Sequence, residues 1–393
     1  MNILYVAPEI TLPGSDGGSA HVAGKLLSLQ RLGHFIILLC KHSPGQTFFE
    51  RKHSIFTLRI PLPDIFLLKN LELILLPLFI LPFFLIRYRI DLVYERGRIF
   101  GGIGVFLAFL FHIRSIYELN EPYSDIPLLL GRFSSTSLIS KFMQKWHQCA
   151  VRLATLVTVT HASLIRHGIA PAEKTIVIDH GVDTSLFFPT PSHIRRKYHL
   201  QKKFVILYSG SFAPWHSCDR IILAAQLLRE QKDIVFILVG KGDMFERCRM
   251  LVKQFGLERS VIFSGPVPYR AMPAYINAAD VCLALFDRTY PPFLKYSFFY
   301  SPMKINEYRA SGKPVIASNF GKLTTLITHG RHGLLVNEQH PQDVASSIIK
   351  LFHNPSLCKK IGNNNLKDIQ QHYLWDLINR RILRELQQRT SSF

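Results

Sequence analysis

The chain alternates strand-like and helix-like patterns twice over, and that alternation limits the fold more than any other feature. Ile3–Val6 is a short apolar run leading into the turn-like Pro13–Ser19 (PGSDGGS). Val22, Leu26 and Leu29 then recur at helical spacing, Gly33 stops the pattern, and Phe35–Leu39 is the next strand. Leu92–Tyr94, Ser115–Glu118, Leu156–Thr160 and Thr175–Ile178 continue it. After the polar, proline-bearing stretch Pro189–Gln201, the alternation restarts with Phe204–Tyr208, Ile234–Val239, Val261–Phe263, Val281–Leu285 and Pro314–Ala317. Such alternation specifies a parallel sheet covered on both faces. The fold class expected is therefore α/β, with two doubly wound Rossmann-like domains facing across a cleft. The expected boundaries are 1–188, a linker at 189–202, 203–372, and a C-terminal helix at 373–393. That helix has Leu374, Leu377, Ile378 and Ile382 on one stripe, and either closes the second domain or packs back on the first.

Lys and Arg number 47 against 27 Asp and Glu, a net charge of +20, which favours an anionic partner. The six cysteines are scattered with no CxxC pair, as in a reduced, cytoplasmic protein. Met1–Glu9 has no basic region followed by a long apolar core, so no leader is expected. Leu73–Ile86 is uncharged but shorter than the ~20 residues of a spanning helix and holds Pro77 and Pro82; Ile99–Ile113 is a second uncharged run. Each reads as a buried core helix. The alternative for the first is a helix lying in a membrane interface, with Arg87 and Arg89 at its end.

The most informative segment is Ser301–Val315 (SPMKINEYRASGKPV). Ser301 suits an N-cap, Pro302 the first helical position, and Gly312 with Pro314 a stop. Lys304 then falls in the first turn, where a cation opposes the helix dipole unless an anion is bound there. Glu307, three residues on, shares its face. The pair is either an ordinary helix-surface pair or a phosphate site with a carboxylate for the hydroxyls of a ribose.

The segment SPMKINEYRASGKPVIAS resembles the donor-site helix of the GT-B glycosyltransferases of family 4. Further similarities follow in the family's order. They are Asp16-Gly17-Gly18-Ser19 with Arg31-Leu32-Gly33-His34, then Ile178–Pro189 (IDHGVDTSLFFP), Tyr208–Ile222, Val239–Asp243 (VGKGD) and Val261–Phe286. The resemblance covers almost the whole chain. It implies a retaining, metal-independent transfer of a sugar from a nucleotide-sugar of UDP or GDP type, with no further cofactor. The donor would lie on the second domain and the acceptor on the first. Glu307 matches the glutamate that holds the ribose; Lys304, with the backbone at Met303 and Ile305, matches the stretch lining phosphates and sugar. Gly17 and Gly18 match the loop approaching the phosphates, and Gly240 belongs to the donor set. The chain also departs from the family. Phe299 stands where a first glutamate is usual, Ser211 and His216 where Arg and Lys grip the pyrophosphate, and His180 where Asn is usual. His216 is then either a weak donor or a polar loop residue.

On the acceptor side, Glu118, Asn120 and Glu121 follow a strand end and are either hydroxyl ligands or a solvated loop. Glu95, Arg96 and Arg98 either contact an anionic acceptor or form a solvated turn, and His21 reads as a packing or capping residue. A cell-envelope or lipid-linked glycan at an anionic membrane surface is the expected acceptor, reached from the cytoplasm. No metal site is expected, since Asp-x-Asp is absent and the 17 histidines show no ligand spacing. Gly240-Lys241-Gly242 begins a dinucleotide fingerprint, but Phe245 takes the third glycine's place. Two rivals stand beside the transferase: a catalytically degenerate GT-B protein, and a basic nucleic-acid-binding protein. The dispersed cations and the lack of a recognition module oppose the second, so nucleic acid is not an expected partner.

Overall fold

The structure, a computed structural model, describes residues 1–14, 16–63, 65–123, 125–131, 134 and 137–390. Ser15 of the expected turn and residues 391–393 of the C-terminal segment lie outside the described residues. The chain forms two α/β units of Rossmann-like type. Unit 1 comprises Met1–His180, Phe299–Ser301 and Trp375–Phe393; unit 2 comprises Gly181–Phe298 and Pro302–Leu374.

Unit 1 is built on strands β1 (Asn2–Thr11), β2 (Phe35–Lys41), β3 (Phe49–Lys52), β4 (Ile55–Ile60), β5 (Leu92–Arg96), β6 (Arg114–Leu119), β7 (Leu156–Val159) and β8 (Thr175–Val177). Their order is β3-β4-β2-β1-β5-β6-β7-β8, and every pairing is parallel except the β3–β4 hairpin. At the centre Leu4 pairs with Ile37 on one side and Val93 on the other. Helices cover both faces, so the central strands are continuous apolar runs rather than alternating ones.

The helix Gly17–Arg31 packs against the C-terminal helix Trp375–Thr390. Gly24 permits this contact: a Cβ there would sit 2.2 Å from the Trp375 indole nitrogen. Arg31 pairs with Asp376 at 2.7 Å, and Asn379 donates to the Lys25 carbonyl. Helices Phe66–Arg87, Ile103–Leu110 and Leu138–Leu153 form a second layer, the middle one packing against both others. Pro77 and Pro82 lie inside the first of these and do not end it. Its inner face (Leu73, Leu81, Phe84, Leu85) is in the core with Leu4, Val6, Ile37 and Val93, and such packing holds a helix that local propensity alone would not.

Unit 2 is built on β9 (Phe204–Ser209), β10 (Ile234–Val239), β11 (Val261–Gly265), β12 (Val281–Ala284), β13 (Val315–Ser318) and β14 (Gly333–Val336). The order is β11-β10-β9-β12-β13-β14, all parallel.

Several boundaries differ from the expected ones. Residues 181–188 belong to unit 2, not to a domain spanning 1–188: the Val182 amide donates to the Tyr373 carbonyl, and Phe187 is fully buried against Tyr269. The stretch 189–202 is not a free linker but part of unit 2. Ile194 is buried, and the Arg195 guanidinium bonds Asp280 and the carbonyls of Ala278 and Lys203. Within 203–372, Phe299–Ser301 cross to unit 1. There the Phe299 carbonyl accepts from Thr160 Oγ1 (2.5 Å), Tyr300 donates to Glu121 (3.0 Å), and Ser301 Oγ accepts from the His180 amide (3.1 Å). Tyr373 and Leu374 stay with unit 2, so the segment packed on unit 1 begins at Trp375.

Candidate functional site

The helix Met303–Ala310 sits beside the carboxyl ends of the unit 2 strands, where ligands of doubly wound sheets bind. Its start differs from the expected one. Pro302 is the N-cap, no side chain among the described residues caps the helix, and Lys304 is the second helical residue, not the third. Ser301 is not the cap, because its hydroxyl is committed to the His180 amide. The other end is a Schellman motif: the Gly312 amide bonds the Arg309 carbonyl and the Lys313 amide that of Tyr308, with Gly312 at φ +69°. Tyr308 ties the helix to the end of β9, its hydroxyl accepting from the Ser209 amide at 2.9 Å.

This anchoring aims Lys304 at the end of β9. Its Nζ is sealed from solvent and has no hydrogen-bond partner among the described residues. It lies 4.5 Å from the Tyr208 ring centre and 5.6 Å from that of Phe286. A Cβ on Gly210 would stand 2.6 Å from it, and Gly210, at φ +138°, leaves the space open. Burial lowers the Lys304 pKa to about 8. On the same face Glu307 is buried, and burial raises its pKa to about 7. Tyr269 donates to Glu307 Oε1 at 2.8 Å, and no protein group among the described residues bonds Oε2. A buried ammonium with no hydrogen-bond partner among the described residues and a buried carboxylate with an open oxygen are the complement of an anion joined to a diol.

Unit 2 brings the other expected donor-side residues to the same strand ends. Gly240, at φ +137°, is packed so tightly that a Cβ would lie 1.9 Å from the Gly210 carbonyl oxygen. Its role is close backbone packing beneath the loop. Ser211 and His216 bond each other: the imidazole Nδ1 is 3.1 Å from Ser211 Oγ and 2.5 Å from the Ser211 carbonyl, to which it donates. Burial among aromatic rings and then the charge of Lys304 hold His216 well below the usual histidine range, so it is neutral and its N–H is already used. It is therefore not the weak pyrophosphate donor considered from sequence. Met303 contributes the first helical amide, whereas the Ile305 amide donates to the Pro302 carbonyl at 3.1 Å and the Ile305 side chain is fully buried. Sequence reasoning missed Gly210 and Tyr269. Gly210 stands directly after a strand, which is a readable signal; Tyr269 carries none.

Gly17 and Gly18 lie in unit 1 and open a helix rather than forming a loop, because Asp16 caps the Ser19 amide at 2.9 Å. A Cβ on Gly17 would touch nothing within 4 Å among the described residues, so none of them demands glycine there.

Glu118 is the hub of a buried network in unit 1, not a solvated loop residue or an open hydroxyl ligand. It accepts from Lys25, Tyr94 (3.0 Å), Arg96 (3.3 Å) and Asn120 (2.8 Å) and bonds His21 (2.7 Å). Burial alone would raise its pKa; His21, Lys25 and Arg96 outweigh that and hold it well below the carboxylate range. Asn120 completes the network by accepting from His180 at 3.1 Å. Glu95 is likewise internal and accepts from the Gly102 and Val105 amides. Glu121 differs: it lines a pocket of about 110 Å³ with Glu9, Arg96, Arg98 and Tyr123. No group of three or more His, Cys, Asp or Glu able to hold a metal occurs among the described residues.

Two Rossmann-like units, one bearing an anion-ready helix at its strand ends, define a protein of the GT-B class. Residues 15–186 match the model of Glycosyltransferase Family 4, and residues 192–368 that of Glycosyl transferases group 1. The chain belongs to the GT-B glycosyltransferases of the family 4 type. It is 25% identical over 230 residues to a GDP-mannose-dependent alpha-(1-6)-phosphatidylinositol monomannoside mannosyltransferase of Mycobacterium tuberculosis, covering 58% of this chain and 59% of that one. Curated relatives are matched over about half of their length. Sucrose-phosphate synthase from Thermosynechococcus elongatus shares the fold (TM-score 0.79, 18% identity, 100% of both chains). Anabaena HepE in complex with UDP does so too (TM-score 0.72, 20% identity, 99% of this chain and 100% of that one).

Proposed function

We propose that this protein transfers a sugar, with retention of configuration and without a metal, from a UDP- or GDP-type nucleotide-sugar held by unit 2. The acceptor is a cell-envelope or lipid-linked glycan received by unit 1 on the cytoplasmic side of the membrane. The observation that carries the donor half is the unpaired, sealed ammonium of Lys304 beside the open oxygen of Glu307. A diphosphate supplies the missing hydrogen-bond acceptors, and the ribose hydroxyls fill the open carboxylate. As the leaving nucleoside diphosphate gains charge, Lys304 stabilises it in a dry site where that charge weighs most. The net charge of +20 and the mycobacterial relative's lipid acceptor support the acceptor class.

The test is nucleotide release from a panel of UDP-, GDP-, ADP- and TDP-sugars, with calorimetric titration of UDP and GDP. Glu307→Ala removes hydrogen bonds to a charged group, so nucleotide affinity is expected to fall about tenfold or more. Unchanged affinity in that variant, or no binding of any donor by the wild type, defeats the reading. The use of the His216 N–H within its own loop favours a second reading, a protein that binds nucleotide without turnover. Binding without release of nucleotide from any sugar would establish it.

A further inference from the structure

The helix Phe66–Arg87 presents to solvent an unbroken apolar stripe: Leu68, Leu71, Leu75, Phe79, Phe83 and Ile86. Phe79 is 76% exposed and Ile86 67%, although a packed core lies on the opposite side of the same helix. At 1.5 Å per residue the stripe runs about 27 Å. The neighbouring helix adds exposed Phe106, Phe109 and Leu110, and the next one Leu138, Ile139 and Phe142. Isolated exposed apolar residues are ordinary, but a concentration of them on three helices packed in series is not. Its charged residues are mainly basic. Arg87, Lys141, Lys145 and Arg152 lie on the outer two helices, none with an acidic partner among the described residues, and Glu72 is the one acid on the three helices.

We propose that unit 1 docks through this three-helix face onto the surface of an anionic lipid bilayer. Phenylalanine and leucine side chains enter the acyl boundary, and the arginines and lysines meet the phosphate headgroups. The helix lies on the membrane and does not cross it. Its 20-residue stretch Leu68–Arg87 has the length and mean hydropathy (1.9) to span, but Leu73, Leu81, Phe84 and Leu85 are held in the protein core. Charge complementarity selects lipid over a second copy of the chain, because a two-fold contact through this face sets its basic residues against themselves. The face also adjoins the pocket described above: Lys69, on the same helix, pairs at 2.8 Å with Glu9, which lines that pocket. Docking thus holds the pocket near the headgroup layer, where the polar head of a lipid-borne acceptor is available; that last consequence rests on the proposed transfer, whereas the docking does not.

The test is cosedimentation of the full chain with vesicles of phosphatidylcholine alone or mixed equally with phosphatidylglycerol. Wild type is expected to partition about tenfold or more in favour of the anionic vesicles, given ~1 kcal/mol per basic residue at the surface. Phe79→Gln with Phe83→Gln, and separately Lys141→Gln with Lys145→Gln, should each lower binding about tenfold, consistent with the loss of buried apolar area or surface charge. All four side chains are exposed, so melting temperature and UDP or GDP binding should stay at wild-type values. Leu294→Gln, an exposed leucine of unit 2, should bind vesicles as wild type. Wild type left in the supernatant, or wild-type binding by either double variant, overturns the proposal. So does a wild-type dimer that Phe79→Gln with Phe83→Gln converts to monomer, since the face would then serve self-association. No arm measures sugar transfer, so failure here is separate from failure of the transferase reading.

Discussion

Replacing Lys304 by methionine should stabilise the protein without ligand and abolish its response to nucleotide. The ammonium is sealed and has no hydrogen-bond partner among the described residues, and burial lowers its pKa from 10.5 to about 8. That shift of roughly 2.5 units, at about 1.36 kcal/mol each, makes the buried charge cost about 3 kcal/mol at pH 7. The Tyr208 and Phe286 rings return about 0.5–2 kcal/mol through cation–π attraction. Methionine keeps the length and drops the charge, so the net gain is about 1–3 kcal/mol. For a domain of this size that is about 2–12 °C in Tm. The sign with pH follows from linkage: the unfolded chain holds the Lys304 proton up to 10.5, the folded chain only to about 8. Wild-type stability therefore rises between those values. The advantage of the variant should shrink to about 1 kcal/mol at pH 9.5. Thermal melts at pH 7 and 9.5, with and without UDP or GDP, read all of this. A variant less stable than wild type at pH 7, a gap that does not narrow with pH, or a nucleotide-induced shift that survives the substitution would refute the reasoning.

Nucleotide affinity should be bell-shaped in pH, because in the proposed donor site Glu307 takes hydroxyls as carboxylate and Lys304 takes phosphate as ammonium. Affinity should rise through about 7 and fall above about 8, and Glu307→Gln should flatten the acid limb in a calorimetric pH series. Folding stability without ligand moves oppositely on that limb: the raised pKa of Glu307 gives a contribution complete below 4.5 that is lost as pH climbs through about 7. Gly210→Ala should weaken nucleotide binding at least about tenfold and cost about 1–3 kcal/mol, since φ +138° is strained for alanine and its Cβ would meet Lys304 at 2.6 Å; binding within twofold of wild type would contradict this. Glu118→Gln strips the counter-charge from buried Lys25 and should cost about 3–5 kcal/mol in urea unfolding, against under 1 kcal/mol if the carboxylate were an open loop group.

The parallel sheets were legible because strands buried on both faces are continuous apolar runs, as in Ile234–Val239. The β3–β4 hairpin was not: Phe49–Lys52 is exposed throughout and carries no apolar signal, and β14 has only four residues. Lys304 and Glu307 were legible as a pair on one helix face, since three-residue spacing is a local property. What makes them a site is long-range. Ser301 has every local mark of an N-cap, yet the His180 amide, 121 residues away, takes its hydroxyl. Tyr269 reaches Glu307 across 38 residues. Glu118 looked like a ligand at a strand end because its partners are 93 and 97 residues distant, although His21 and Lys25, four apart on one helix, were a readable pair.

The same distinction governs the helix Phe66–Arg87. From Leu73 to Ile86 its sequence is apolar all round, so hydropathy assigns it equally to a core or to a lipid surface, and the two readings look like alternatives. Packing makes them the two sides of one helix: Leu73, Leu81, Phe84 and Leu85 are in the core, while Leu75, Phe79, Phe83 and Ile86 remain in solvent. A soluble helix over a parallel sheet has no need of the second set, and polar residues there would hold the fold as well. The apolar outer stripe therefore answers to a requirement other than folding, as does the charge of Lys304. At both places the chain retains a group that costs stability or solubility in isolation and that the proposed partner, a nucleotide at Lys304 and a lipid surface at the helix, would make favourable.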